Sequence, residues 1–210
     1  MKQLTNEEIL LIKNDLVSSK SPKRRSAAKK IAKYKIFSLA NELLKAYLEE
    51  RKDIRTRETQ SEKINALAKI NYKAAIPYLR EIVDENKDMD TVTMKASLSY
   101  IRLNREALND MTLILSLLEK GKRSVFMGAV YAMAYDDVIP TEQEIITVLD
   151  IFEKRNVYDD PYTYDAQPII SSMYKWRNEI IAPFLEHYKQ YPQYAHFIEN
   201  TFAGKKSCIE

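Results

Sequence analysis

Glycine is scarce, with three residues in 210, against roughly 7% in average proteins. That shortage argues against Gly-rich phosphate loops, βαβ nucleotide folds and tight β-hairpins, all of which need positions with positive φ. One cysteine, Cys208, excludes an intramolecular disulfide and a Cys-rich zinc site. Two histidines, His187 and His196, leave little material for a His-rich metal centre or a Ser-His-Asp triad. No window approaches 18 apolar residues, so no membrane span is expected. The first 16 residues are interrupted by Glu7, Glu8, Lys13 and Asp15 and do not read as a secretory leader. A lone thiol without such a leader fits a reducing cytoplasm.

What is present is helix-forming: Ala, Leu, Ile, Lys and Glu are abundant. Apolar residues recur at intervals of three and four, as in Ile64, Leu67, Ala68 and Ile70, or Leu98, Ile101 and Leu103. No alternating strand pattern of useful length competes. The fold class expected is therefore all-α. Helices are expected in pairs, at about 21–34 and 36–51, 56–70 and 73–85, 91–103 and 106–120, 123–135 and 141–154, and 164–176 and 178–188. Ser21-Pro22 reads as a cap and first helical residue. Thr141 with Glu144 reads as a capping box.

These pairs superimpose. Tyr34, Ile70, Leu103, Tyr135 and Trp176 form one column at the ends of the first helices. Six residues upstream the column is Ala28, Ile64, Ser97, Ala129 and Ile170. Pro77 and Pro183 both fall seven residues after their column residue, where the first turn of a second helix tolerates a missing N–H. A period of 30–40 residues means that no unit hides its apolar face alone. The expectation is a right-handed α-solenoid of about five antiparallel helical hairpins forming one domain over 1–210. A capping helix would cover 1–18, the repeats 21–190, a second capping helix 192–203, and a tail 204–210. Its radius of gyration should exceed the roughly 17 Å of a compact globule of this length.

Residues 64–103 carry a resemblance. Leu67-Ala68-Lys69-Ile70 ends a first helix, Ala75-Ile76-Pro77-Tyr78-Leu79 opens a second, an acidic loop follows, and Ala96 is the small residue of the next first helix. This segment resembles the HEAT-repeat pattern, most clearly over 56–120. A tetratricopeptide array is the other architecture with a similar period, but its Trp, Gly and Tyr signature is not visible here. A repeat fold implies an extended binding surface and says little about chemistry.

Charge is unevenly spread. Residues 1–60 hold 15 basic and 8 acidic side chains, while residues 61–210 hold 18 and 22. The basic excess peaks in Lys20–Lys35. There Lys23, Arg24, Arg25, Lys29, Lys30 and Lys33 are candidate phosphate contacts, because clustered cations release counterions from nucleic acid. The opposing reading is a solvated face opposite Ala27, Ala28, Ile31 and Tyr34.

The acidic pole spans 136–165, with nine carboxylates against Lys154 and Arg155. Within it, Tyr158, Asp159, Asp160, Tyr162, Tyr164 and Asp165 form the least periodic connection of the chain. Together with Asp136 and Asp137 they are the candidate partner-binding residues. Tyrosine gives large contact area at low entropic cost, and neighbouring carboxylates would steer a basic partner. The opposing reading is a long connection whose tyrosines pack down. Adjacent aspartates seldom converge on one ion, and the glycine of a calcium loop is missing.

The functional expectation is a non-enzymatic protein-binding scaffold with no cofactor or metal. HEAT-like resemblance together with the acidic pole implies the role of a bacterial immunity protein that neutralises a basic nuclease toxin. The alternative is nucleic-acid binding through the first repeat, as in HEAT-like DNA glycosylases. That branch depends on paired aromatics and an Asp in its cleft, and no matching motif is found here. Trp176 reads instead as a core residue.

Overall fold

The computed structural model describes residues 4–157 and 165–209. Among them are twelve α-helices, short 3-10 turns and no strand. None of these helices is long and apolar enough to cross a membrane. The chain divides into two compact units, one running to Asn104 and one from Arg105.

The first unit holds α1 (Asn6–Leu16), α2 (Ser21–Tyr34), α3 (Ala40–Glu50), α4 (Arg57–Lys69), α5 (Ile76–Glu85) and α6 (Thr91–Asn104). The helices α1, α2, α4 and α6 pack one against the next. The closest partner of α3 is α4, and that of α5 is α6, so each second helix seats on the first helix that follows it. The contact surfaces are small: Ala27 and Ala28 on α2, Ala66 and Ala68 on α4, Ala96 and Ser97 on α6 are buried. Short side chains let helix axes approach closely. Larger side chains then fill the space between, with Ile31, Leu43, Ile64, Leu67, Leu79 and Ile101 among the most deeply buried. Burying each of these contributes about 1.5–3 kcal/mol.

The second unit holds α7 (Thr112–Lys120), α8 (Arg123–Asp136), α9 (Glu142–Lys154), α10 (Ala166–Ser172), α11 (Asn178–Glu186) and α12 (Ala195–Phe202). Here α8, α10 and α12 pack in sequence, as do α7, α9 and α11, and α7 lies against α8. Every residue of α8 from Ser124 to Ala134 is buried, as expected for a helix that is apolar all round. Phe126, Phe152, Phe184, Tyr188 and Tyr194 run through the unit as a chain of ring contacts 5.6–5.9 Å apart.

The column Ala28, Ile64, Ser97, Ala129 and Ile170 is wholly buried in all five positions. Helix ends explain how a glycine-poor chain turns. Lys35, Asn71, Asp137 and Asn156 take the left-handed conformation. The residue after each closes the helix: Ile36 N–H donates to Ile31, Tyr72 to Leu67, Val138 to Met133 and Val157 to Phe152, at 3.0–3.2 Å. Asn and Asp tolerate this conformation best after glycine.

Some local expectations need correction. Ser21 is not the cap of α2: Lys20 holds that position, and the Ser21 hydroxyl bonds Thr59 of α4 at 2.7 Å. Pro77 opens α5, but Pro183 lies inside α11, which starts five residues earlier at Asn178. The second helix of the third pair starts at Thr112 rather than near 106, because the Asp110 carboxylate accepts from Thr112 N–H at 3.0 Å and interrupts the chain there. Thr141 and Glu144 do form the capping box, and Trp176 is buried with its ring N–H donating to the Val138 carbonyl at 3.1 Å.

Candidate functional site

The basic helix α2 has two kinds of cation. Arg24 turns inward. Its Nε and Nη2 each donate to Glu50 at 2.7 Å, and Nη1 donates to the carbonyls of Ser18 and Ser19 at 2.7 and 3.1 Å. The Arg24 guanidinium is thus committed to the interior of its unit. Arg25 pairs with Glu58, and Lys29 stands 3.5 Å from Glu62. Lys23, Lys29 and Lys33 are exposed, Lys30 is half-buried, and Lys33 lies 5.5 Å from the Tyr34 ring centroid. The basic run is therefore partly neutralised by acids of α4, which the one-dimensional charge count cannot show.

Behind Arg24 lies the most heavily buried charge cluster described in this unit. Lys63 Nζ donates to Glu50 Oε2 at 2.7 Å and to the Ala46 carbonyl at 2.9 Å. Burial alone would raise the Glu50 pKa, but hydrogen bonds from Arg24, Lys63 and Thr56 outweigh it and hold the carboxyl down at about 2. Lys63 fares differently: burial pulls its ammonium below the ordinary lysine value, and Glu50 only partly restores it. Sequence reasoning singled out neither Glu50 nor Lys63. The available signal was position: Glu50 continues the stripe Leu43, Ala46, Tyr47 of α3, and Lys63 adjoins Ile64 on the buried side of α4.

At the acidic pole, Tyr158, Asp159, Asp160, Tyr162 and Tyr164 lie outside the described residues. The three candidates that are described have internal partners. Asp136 accepts from Arg105 Nη2 at 2.8 Å. Asp137 accepts from Lys206 and lies 4.0 Å from Lys175. Burial would raise its pKa, but bonds from Lys206 and Tyr174 hold it below the usual value. Asp165 caps α10 by accepting from Gln167 N–H at 3.2 Å, and also accepts from the Tyr131 hydroxyl at 2.9 Å. Burial, then the Asp165 charge, pushes the Tyr131 pKa up.

The two flanks of the tyrosine-rich connection are thereby fastened. On one side Val157 is wholly buried, and its carbonyl accepts from the buried Tyr188 hydroxyl at 3.3 Å. On the other, Asp165 is bound by Tyr131, and Ala166 is wholly buried. Among the described residues no group of three or more His, Cys, Asp or Glu side chains is placed to hold a metal ion. Comparison with protein-family models, with curated proteins and with solved structures finds no match to this chain.

Proposed function

We propose that this chain is a HEAT-like α-solenoid of about five hairpins that binds another protein without catalysis, using the connection between α9 and α10 as its principal contact. The observation that carries the reading is the fastening of both flanks of that connection by buried tyrosines. A contact segment held on rigid elements loses less entropy on binding than one on a loose tether. The stepwise packing of helices within each unit supports the repeat architecture, because a stack in which each element touches mainly its neighbours is what a solenoid requires. The carboxylates Asp159 and Asp160 between Tyr158, Tyr162 and Tyr164 suit a partner with a basic surface, of the kind a nuclease toxin presents.

Two measurements test this. Solution scattering should give a radius of gyration above roughly 17 Å, the value for a compact globule of this length. Affinity capture from the native host should retain a basic partner, and the Tyr158→Ala/Tyr162→Ala/Tyr164→Ala variant should lose it while keeping its circular dichroism spectrum. A folded triple variant that captures the same partner equally well would remove the connection from the proposal.

Nucleic-acid binding through α2 is the second reading, favoured by the exposed Lys23, Lys29 and Lys33. It ranks lower because Arg24 and Arg25 already have carboxylate partners. Duplex and single-stranded DNA at low salt would distinguish it, with a log–log salt slope that falls when these lysines are neutralised.

A further inference from the structure

The hairpin turns of the first unit carry charge of one sign. The turn from α2 to α3 lies within residues 16–41 and the turn from α4 to α5 within residues 63–80, and neither stretch contains an aspartate or glutamate. The two turns share one end of the unit, because α2 and α4 run side by side in the same direction: Ser21 bonds Thr59 at their starts, and Lys29 faces Glu62 further along. At the turn end the Tyr72 hydroxyl donates to Asn41 at the start of α3, which ties one turn to the other.

Several cations elsewhere in the unit stand against carboxylates: Arg24 against Glu50, Arg25 against Glu58, Arg51 against Glu81 and Arg80 against Asp84. At the turn edge, Lys33, Lys35 and Lys73 are exposed and have no carboxylate partner among the described residues. Lys69, in the last turn of α4, is exposed at the same end. Cations gathered in this way without acids between them set up a local positive potential that the near-neutral total charge conceals.

The independent observation is Phe37. It is 61% exposed and is the one phenylalanine among the exposed large apolar side chains of the described residues. Its neighbours Ile36 and Leu39 are buried, so the turn is anchored on both sides while the ring stands in water two residues from Lys35. An aromatic face held out among cations is the pairing that receives an unstacked base and its backbone.

We propose that this edge binds single-stranded nucleic acid, with Lys33, Lys35 and Lys73 against its phosphates and Phe37 against an unpaired base. A duplex hides the faces of its bases, so the ring favours a single strand. The inference rests on the nucleic-acid reading above and narrows it from the whole of α2 to the turn edge. It is independent of the protein contact in the second unit.

The test is fluorescence anisotropy of the full chain with a labelled oligothymidylate of about 12 nucleotides, within the usual range of single-strand site sizes. Affinity should fall with salt at a log–log slope of about −2, as for three phosphate contacts on a single strand. Lys33→Gln with Lys73→Gln should reduce the slope to about −0.7. Lys20→Gln with Lys23→Gln, an equal loss of charge at the other end of α2, should leave it unchanged. Phe37→Ala should weaken the oligothymidylate about tenfold and leave a duplex of the same length unaffected. All five positions are exposed, and circular dichroism checks the fold of each variant. No binding at low salt would remove the nucleic-acid reading as a whole. Binding that responds as strongly to the Lys20 and Lys23 pair, or is indifferent to Phe37→Ala, would keep that reading and overturn the edge. Polyglutamate that displaces the oligonucleotide at equal charge would overturn it in favour of an acidic protein.

Discussion

Replacing Glu50 by alanine should be among the most damaging single changes in the first unit. Its side chain is 3% exposed and that of Lys63 is 1% exposed. The variant would leave the Lys63 ammonium enclosed with only the Ala46 carbonyl as a named partner. Removing one member of a buried ion pair costs about 3–5 kcal/mol, because the remaining charge stays desolvated. The depressed Glu50 pKa gives a consistent figure. A fall from 4.5 to about 2 corresponds to about 3 kcal/mol at roughly 1.4 kcal/mol per pH unit. In urea, with a slope of about 1–2 kcal/mol/M for a unit of this size, the midpoint should drop by roughly 2 M.

The same group sets an acid limit. A carboxyl whose folded pKa lies below its unfolded value binds fewer protons in the folded state than in the unfolded one. Its stabilisation is present in full above about 4.5 and is lost as pH falls towards about 2. Wild type should lose stability across that window, and the Glu50→Ala variant should lose less. Glu50→Leu with Lys63→Met removes the enclosed pair together but leaves the Arg24 guanidinium with the Ser18 and Ser19 carbonyls in place of Glu50, so it should lose clearly less stability than Glu50→Ala while staying below wild type. Circular dichroism at 222 nm during urea titration reads all three proteins. A single variant that loses under about 1 kcal/mol, or a double variant as damaged as the single, would refute this account of the cluster.

Two further changes probe the backbone. Lys35 sits at φ 50°, ψ 52° after α2, where a Cβ costs about 1 kcal/mol. Lys35→Gly should raise the melting temperature by about 2–4 °C, and an unchanged or lower value would mean that the lysine side chain contributes contacts of its own. A Cβ at Gly121 would meet the Leu117 carbonyl oxygen at 2.5 Å and Val125 Cγ1 at 2.6 Å. Gly121→Ala should therefore cost about 1–3 kcal/mol through overpacking between α7 and α8, read as a lower urea midpoint.

The helical content was legible because spacing is local. Residues 64, 67, 68 and 70 declare a buried face without knowledge of what covers it, and the column through Ala28, Ile64, Ser97, Ala129 and Ile170 marks that face in five successive places. The Thr141–Glu144 box was legible for the same reason, since both partners lie within one turn. Pro183 misled because its spacing from Trp176 matches that of Pro77 from Ile70, yet α10 ends at Ser172 and α11 begins by Asn178. The candidate site was the least legible. Arg24 reads as one more cation in a basic run until Glu50, 26 residues away, is brought to it.

Within about four residues, hydrogen bonding and side-chain periodicity are fixed by covalent connection, so the order of residues alone determined that this chain is helical, where most helices lie and which faces they bury. Which charge meets which was decided only when α2, α3 and α4 came together, because an ion pair depends on distances and desolvation that no linear pattern carries. That assembly turned Arg24 from an outward cation into a partner of Glu50 and enclosed Lys63 beside it.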